Sequence, residues 1–154
     1  MISIAALSFI AAVALCGMLV WLSWIDVKYG VLPDLLTLPL MWAGLFVNIQ
    51  AVFAPLSAAV LGAAAGYCIL WIANLLYRWR TGQDGMGYGD FKLMAALGAW
   101  LGISSVPWVL IGACGAGAIA AGLWRLAGSN RTDHPFGPFL SAAGVVMLVR
   151  MFSS

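Results

Sequence analysis

Five aspartates carry the acidic chemistry of this chain: Asp26, Asp34, Asp84, Asp90 and Asp133, with no glutamate anywhere. Asp84 and Asp133 sit among polar loop residues, where ordinary solvation accounts for them. Asp26 and Asp90 are different, because each adjoins an apolar run. Asp26 follows Ser23-Trp24-Ile25, and Asp90 precedes Phe91-Lys92-Leu93-Met94. Ionisable groups at membrane depth are costly, face the interior of a helix bundle and mark functional sites. Two carboxyls that share a site hold one proton between them, so one can take a proton from water while the other donates. Their titration then belongs to the pair. The alternative is helix capping, with Asp90 serving the helix it precedes. Charge placement alone leaves both open.

The residues before Asp90 add to the first reading. Gly85-Met86-Gly87-Tyr88-Gly89-Asp90 places three glycines in the six residues that end at the carboxylate. Glycine permits close approaches closed to other residues, so an extended peptide or a second helix can reach the Asp. The segment is no phosphate loop, since it lacks the Lys-Ser/Thr that holds nucleotide and metal.

The elements that must position these groups are membrane helices. Of the 154 residues, 64% are hydrophobic and 8% charged, with a mean hydropathy of +1.04. A soluble domain carries about 25% charged residues, and so few charges cannot cover a soluble surface. The net charge of +2 is too small to argue for nucleic acid, which is not expected as a partner. Apolar runs fall at about 2–25, 35–52, 56–77, 91–104, 106–126 and 135–152, the fourth being short. A spanning helix needs about 20 residues. Pro55 and Pro107 punctuate two tight connections. The alternating pattern of a membrane barrel is absent, as is a transporter-type internal repeat. The expected fold is all-α: a polytopic membrane protein of six transmembrane helices forming one domain over 1–154. The first run has no basic start and is too long for a signal peptide, so it is read as a retained helix.

Charge placement orients the spans. Lys28, Arg78, Arg80, Lys92, Arg125 and Arg131 fall in the first, third and fifth connections, leaving Arg150 of the seven cations on the other side. The positive-inside rule puts those connections in the cytoplasm and both termini in the periplasm. The aspartates cluster at the same cytoplasmic face.

Three segments then resemble one family. Gly87-Tyr88-Gly89-Asp90 with Phe91-Lys92-Leu93 resembles the GxGD signature of intramembrane aspartyl proteases, in the form found in type IV prepilin peptidases. Asp26-Val27-Lys28-Tyr29-Gly30-Val31-Leu32-Pro33-Asp34-Leu35-Leu36-Thr37 is similar to that family's other motif, an Asp followed by Pro-Asp/Asn-x-Leu-Thr. His134-Pro135-Phe136-Gly137-Pro138-Phe139 is similar to the segment that opens its last helix. The three occur in family order and together span almost the whole chain.

The resemblance implies that Asp26 and Asp90 are the catalytic pair, with Gly87, Tyr88, Gly89, Lys92, Pro33 and Asp34 as supporting motif residues and Asp34 non-catalytic. It implies an aspartic endopeptidase of the bacterial inner membrane that cleaves the short basic leader from prepilins or pseudopilins at the cytoplasmic face, typically after a glycine. Such enzymes serve type IV pili and protein secretion. No cofactor and no metal are implied, and the partners are the prepilin substrate and membrane lipid. Longer members carry paired CxxC motifs in an N-terminal region associated with methyl transfer. Here Cys16, Cys68 and Cys114 are isolated, each in an apolar run. Zinc binding and methyltransferase activity are therefore not expected, and the thiols are read as small apolar packing groups.

His134, the only histidine, reads as structural at a helix entry. Lys92 either stabilises a carboxylate or a substrate group, or snorkels to the surface. The eight Trp read as membrane anchors or packing, and the small-residue run Gly112–Gly122 permits close helix approach without specifying an oligomeric state. Two other readings stand beside the peptidase: a non-enzymatic scaffold of a secretion or pilus complex, and a small proton-coupled transporter. A scaffold tolerates Asp26→Asn, and a transporter places its carboxylates near the midplane at broken helices.

Overall fold

A computed structural model describes residues 4–127 and 135–153. Arg131, Asp133 and His134 lie outside the described residues. Among those described, six α-helices follow one another: α1 (Ile4–Tyr29), α2 (Asp34–Val47), α3 (Leu56–Thr81), α4 (Tyr88–Leu101), α5 (Val106–Leu126) and α6 (Gly137–Ser153). Single 3-10 turns, Asn48–Gln50 and Ile103–Ser105, follow α2 and precede α5. The protein is an all-α membrane protein, as composition requires.

The helices differ from the apolar runs in a way that matters for the site. α1 and α3 extend past their apolar stretches, to Tyr29 and Thr81. Each stops at a glycine in the left-handed conformation, Gly30 (φ 67°) and Gly82 (φ 76°). The N–H of each glycine donates to the carbonyl four residues back, Asp26 and Arg78, at 2.8 Å. A left-handed glycine closes a helix without a Cβ penalty. As a result Asp26 lies within the last turn of α1 rather than beyond its end.

Among the described residues, three helical stretches are long and apolar enough to cross a membrane: α1, α3, and α5 with its preceding 3-10 turn. α6 is shorter, and α2 and α4 have 14 residues each. Fourteen residues rise about 21 Å, against a hydrocarbon core of about 30 Å. The short α4 is nevertheless the centre of the bundle. Asp90, Phe91 and every residue from Leu93 to Leu101 are buried. α2 and α3 flank it, while α6 packs on α5 and α1 and also touches α4. Close packing of α3 on α4 depends on missing side chains: a Cβ on Gly62 or Gly98 would run into the other's backbone, and one on Gly66 would meet Met94 O at 2.7 Å. Small residues let backbones approach where lipid gives no apolar driving force.

Two buried polar anchors fix α2 against α4. The Trp100 indole N–H donates to Leu40 O at 2.8 Å, and its ring fills the space beside Gly44. Asn48 is fully buried and uses its whole amide: Nδ2 donates to Ala99 O and Trp100 O, and Oδ1 accepts the N–H groups of Phe53 and Ala54. It thereby satisfies carbonyls that the end of α4 leaves orphaned and the turn into α3 at once.

The small-residue run of α5 serves partly as packing. A Cβ at Gly112 would meet Ala143 of α6 at 3.3 Å, whereas one at Gly115 or Gly122 would meet nothing. The thiols depart from the expectation of burial. Cys16 is half-buried, and Cys68 and Cys114 lie on the outer surface of the bundle, where an apolar thiol suits lipid as well as it suits a core.

Candidate active site

The ends of α1, α3 and α5 and the starts of α2, α4 and α6 gather at one end of the bundle. There they enclose a cleft of about 1140 Å³. Asp26, Asp34, Asp84, Asp90 and Lys92 line it together with Gly85–Gly89 and Phe136. The cleft receives Asp26 from the α1 side and Asp90 from α4, so its two buried carboxyls come from different parts of the bundle. They are 6% and 7% exposed, so neither is a surface group.

Asp26 faces the entry of α6. The N–H of Gly137 donates to Asp26 Oδ2 at 3.0 Å. A carboxylate at a helix N-terminus meets unpaired N–H groups and the positive end of the helix dipole. The absence of a Cβ on Gly137 lets the carboxyl sit this close, since a Cβ there would lie 2.7 Å from Asp26 Oδ2. Asp90 sits in the first turn of α4, where its own N–H donates to Gly87 O at 3.1 Å and its carboxyl turns back toward the Gly87 backbone. It also lies close enough to Asp26 for the two charges to interact. Asp90 is thus the third residue of α4 rather than its N-cap, beside the Gly87 backbone and within reach of the Asp26 charge.

The glycines before Asp90 have separate duties. Gly85 stands against the Tyr77 ring, and a Cβ on it would lie 2.7 Å away. Gly87 is the N-cap of α4, with φ −72° and ψ 144°. Gly89 leaves room for Leu32, whose Cβ would be 2.6 Å from an added Cβ. The close approach beside Asp90 is therefore used by the chain itself. Leu32, between α1 and α2, also reaches the α6 entry, 3.3 Å from a Cβ on Gly137. Tyr88 is half exposed and packs edge-on against Phe91 at 5.4 Å.

The remaining motif residues divide. Lys92 pairs with Asp34 through Nζ and Oδ1, tying the N-terminal part of α4 to the start of α2. Its partner is thus Asp34, the second acidic residue of the α1–α2 motif. Pro33 lies outside the cleft lining, at the N-cap of α2, where its carbonyl accepts the N–H groups of Leu36 and Thr37. Among the described residues, no group of three His, Cys, Asp or Glu could hold a metal ion.

Sequence reasoning passed over Asn74, and it quoted Leu32 and Gly137 only as members of motif segments, without a role of their own. Asn74 is a polar residue within an apolar run, which was a readable signal. For Leu32 and Gly137 the motif segments gave membership but no role, since their roles arise from what packs against them.

Residues 13–122 match the family model described as the type IV leader peptidase family. Among the relatives is the prepilin leader peptidase/N-methyltransferase of Burkholderia pseudomallei (strain 1026b), 52% identical over 144 residues. The match covers 90% of this chain and 46% of the relative. Proteins of the same name from Aeromonas salmonicida (strain A449) and Pectobacterium carotovorum subsp. carotovorum are 47% and 41% identical. They cover 91% and 94% of this chain and 49% and 55% of their own lengths. The chain spans about half the length of the curated relatives it matches. No solved structure matches it.

Proposed function

Because the chain belongs to the type IV leader peptidase family, we propose that it is an aspartic endopeptidase that removes the short basic leader from prepilins or pseudopilins at the cytoplasmic membrane face. The observation that carries this reading is the meeting of Asp26 and Asp90, two buried carboxyls from separate helices, in one open cleft. The relatives' names supply the substrate class. The cations at the cleft end of the bundle supply the membrane face.

In the mechanism, the pair holds one proton. The ionised carboxylate takes a proton from water as the water oxygen attacks the scissile carbonyl carbon. The protonated partner hydrogen-bonds the carbonyl oxygen as negative charge builds there. The tetrahedral intermediate collapses by breaking the C–N bond, with the leaving nitrogen protonated by the carboxyl that received the water proton. Gly137 N–H holds one Asp26 oxygen throughout, leaving the other for chemistry. Neither a metal nor an organic cofactor enters this scheme. The peptidase step alone is proposed.

Incubating the purified chain with a full-length prepilin and following leader removal on a gel tests the reading. Asp26→Asn and Asp90→Asn are each expected to abolish cleavage while the protein still inserts and folds. Full activity in either variant would overturn the assignment.

A further inference from the structure

The loop that delivers the glycine-rich motif is held by side chains of α3: Thr81 bonds Gln83 and Arg78 reaches Asp84 at its exposed start, and Asn74 holds the part that lines the cleft. Asn74 is 7% exposed. Its Oδ1 accepts the N–H groups of Gly85 at 2.8 Å and Met86 at 3.2 Å, and its Nδ2 donates to Asp84 Oδ1 at 3.1 Å. The amide orientation follows from its partners, since two N–H donors demand the oxygen and a carboxylate demands the nitrogen. Asp84, Gly85 and Met86 all line the cleft. The next residue, Gly87, caps α4 and accepts the N–H of Asp90. Gly87 has no side chain with which to cap α4, so the segment before it needs a holder elsewhere, and Asn74 is one.

We propose that Asn74 is a positioning residue for the hydrolysis assigned above, acting through the Asp84–Met86 segment to set Asp90 against Asp26. The inference rests on the peptidase reading. Asn74 touches no reacting atom. A bystander would satisfy one buried group, whereas this amide ties three consecutive residues directly upstream of the Gly87–Asp90 turn.

Exchanging donor and acceptor tests the proposal. Asn74→Asp keeps both acceptor bonds but turns a second carboxylate toward Asp84. Combining it with Asp84→Asn restores one donor and one acceptor with their roles reversed. The Arg78–Asp84 contact, 3.7 Å between two exposed side chains, is lost in the double variant at little cost. Arg78 then stands one turn from the new carboxylate. The full chain in detergent micelles, acting on a full-length prepilin, reports kcat and KM per folded protein, with a thermal midpoint for each variant.

Misplacing a reacting group by about 1 Å can cost a hundredfold in rate. Asn74→Asp is therefore expected to lower kcat about tenfold or more, and the double variant to return within about threefold of wild type. Near-wild-type kcat in Asn74→Asp, or no recovery in the double variant, would overturn the proposal. If Asn74→Asp does not fold, Asn74→Ala decides. It removes all three bonds while favouring the helix, and it must show the same loss of kcat; near-wild-type kcat there overturns the proposal too. A wild-type chain that leaves the leader intact would instead sink the peptidase reading, and this inference with it, before any variant is compared.

Discussion

Gly137→Ala separates the chemistry of the site from the stability of the fold. Gly137 is absent from the positive-φ positions, so alanine suits its backbone, and in a helix alanine is favoured over glycine by about 1 kcal/mol. What changes is space. The new methyl would lie 2.7 Å from Asp26 Oδ2, 3.1 Å from its Cγ and 3.3 Å from Leu32 Cδ1. A carbon–oxygen contact settles about 0.5 Å or more farther out than the first of these, near the optimum for non-bonded atoms. The movable partner is the Asp26 carboxyl, which can rotate aside at small cost to the fold. In doing so it gives up the 3.0 Å bond from Gly137 N–H. A hydrogen bond to a charged group contributes about 1.5–3 kcal/mol, and each 1.4 kcal/mol is tenfold in rate. Prepilin cleavage by Gly137→Ala is therefore expected to fall about 10- to 150-fold in kcat/KM, with the thermal midpoint in detergent within a few degrees of wild type. Retained cleavage would refute the claim that this contact holds Asp26 in its working position. A collapse of the midpoint would show that the α6 entry is a folding contact instead.

Two further outcomes follow from the fold. Asn48→Ala strips four hydrogen bonds from a fully buried junction; at about 0.6–1 kcal/mol each it should lose about 2–4 kcal/mol, read as a lowered unfolding midpoint in detergent. Reporter fusions after Arg80 and after Ser154 should read cytoplasmic and periplasmic respectively, and a cytoplasmic reading for the second would mean that an even number of segments, not three, crosses after Arg80.

Much of the site was readable before any coordinates. Asp26 and Asp90 stood out as carboxyls against apolar runs, and they do line one cleft. Lys92 was read as stabilising some carboxylate or reaching the surface, and it does pair with a carboxylate, that of Asp34. The glycines before Asp90 were read as room for a close approach, and Leu32 takes that room beside Gly89. Asn74 was overlooked although its polarity was visible, because its partners are loop backbone groups that no spacing rule connects to it.

Composition, charge placement and motif order are one-dimensional quantities, so the sequence by itself determined the solvent, the helical class and which two carboxyls stand against apolar runs. Which face of each helix is buried is a different kind of information. In a soluble protein it is written as apolar periodicity. Here the lipid-facing and core-facing sides are both apolar, as in α1, where buried Leu15, Leu19 and Leu22 share the helix with exposed Val13, Val20 and Trp21. Hydrophobicity therefore could not mark the 14-residue α4 as the centre of the bundle. Tertiary structure decided that, through glycine contacts at Gly62, Gly66 and Gly98 and polar anchors at Asn48 and Trp100. It also decided that Asp26 meets Gly137, 111 residues away, because in lipid the selective contacts between helices are steric fits and hydrogen bonds rather than burial from water.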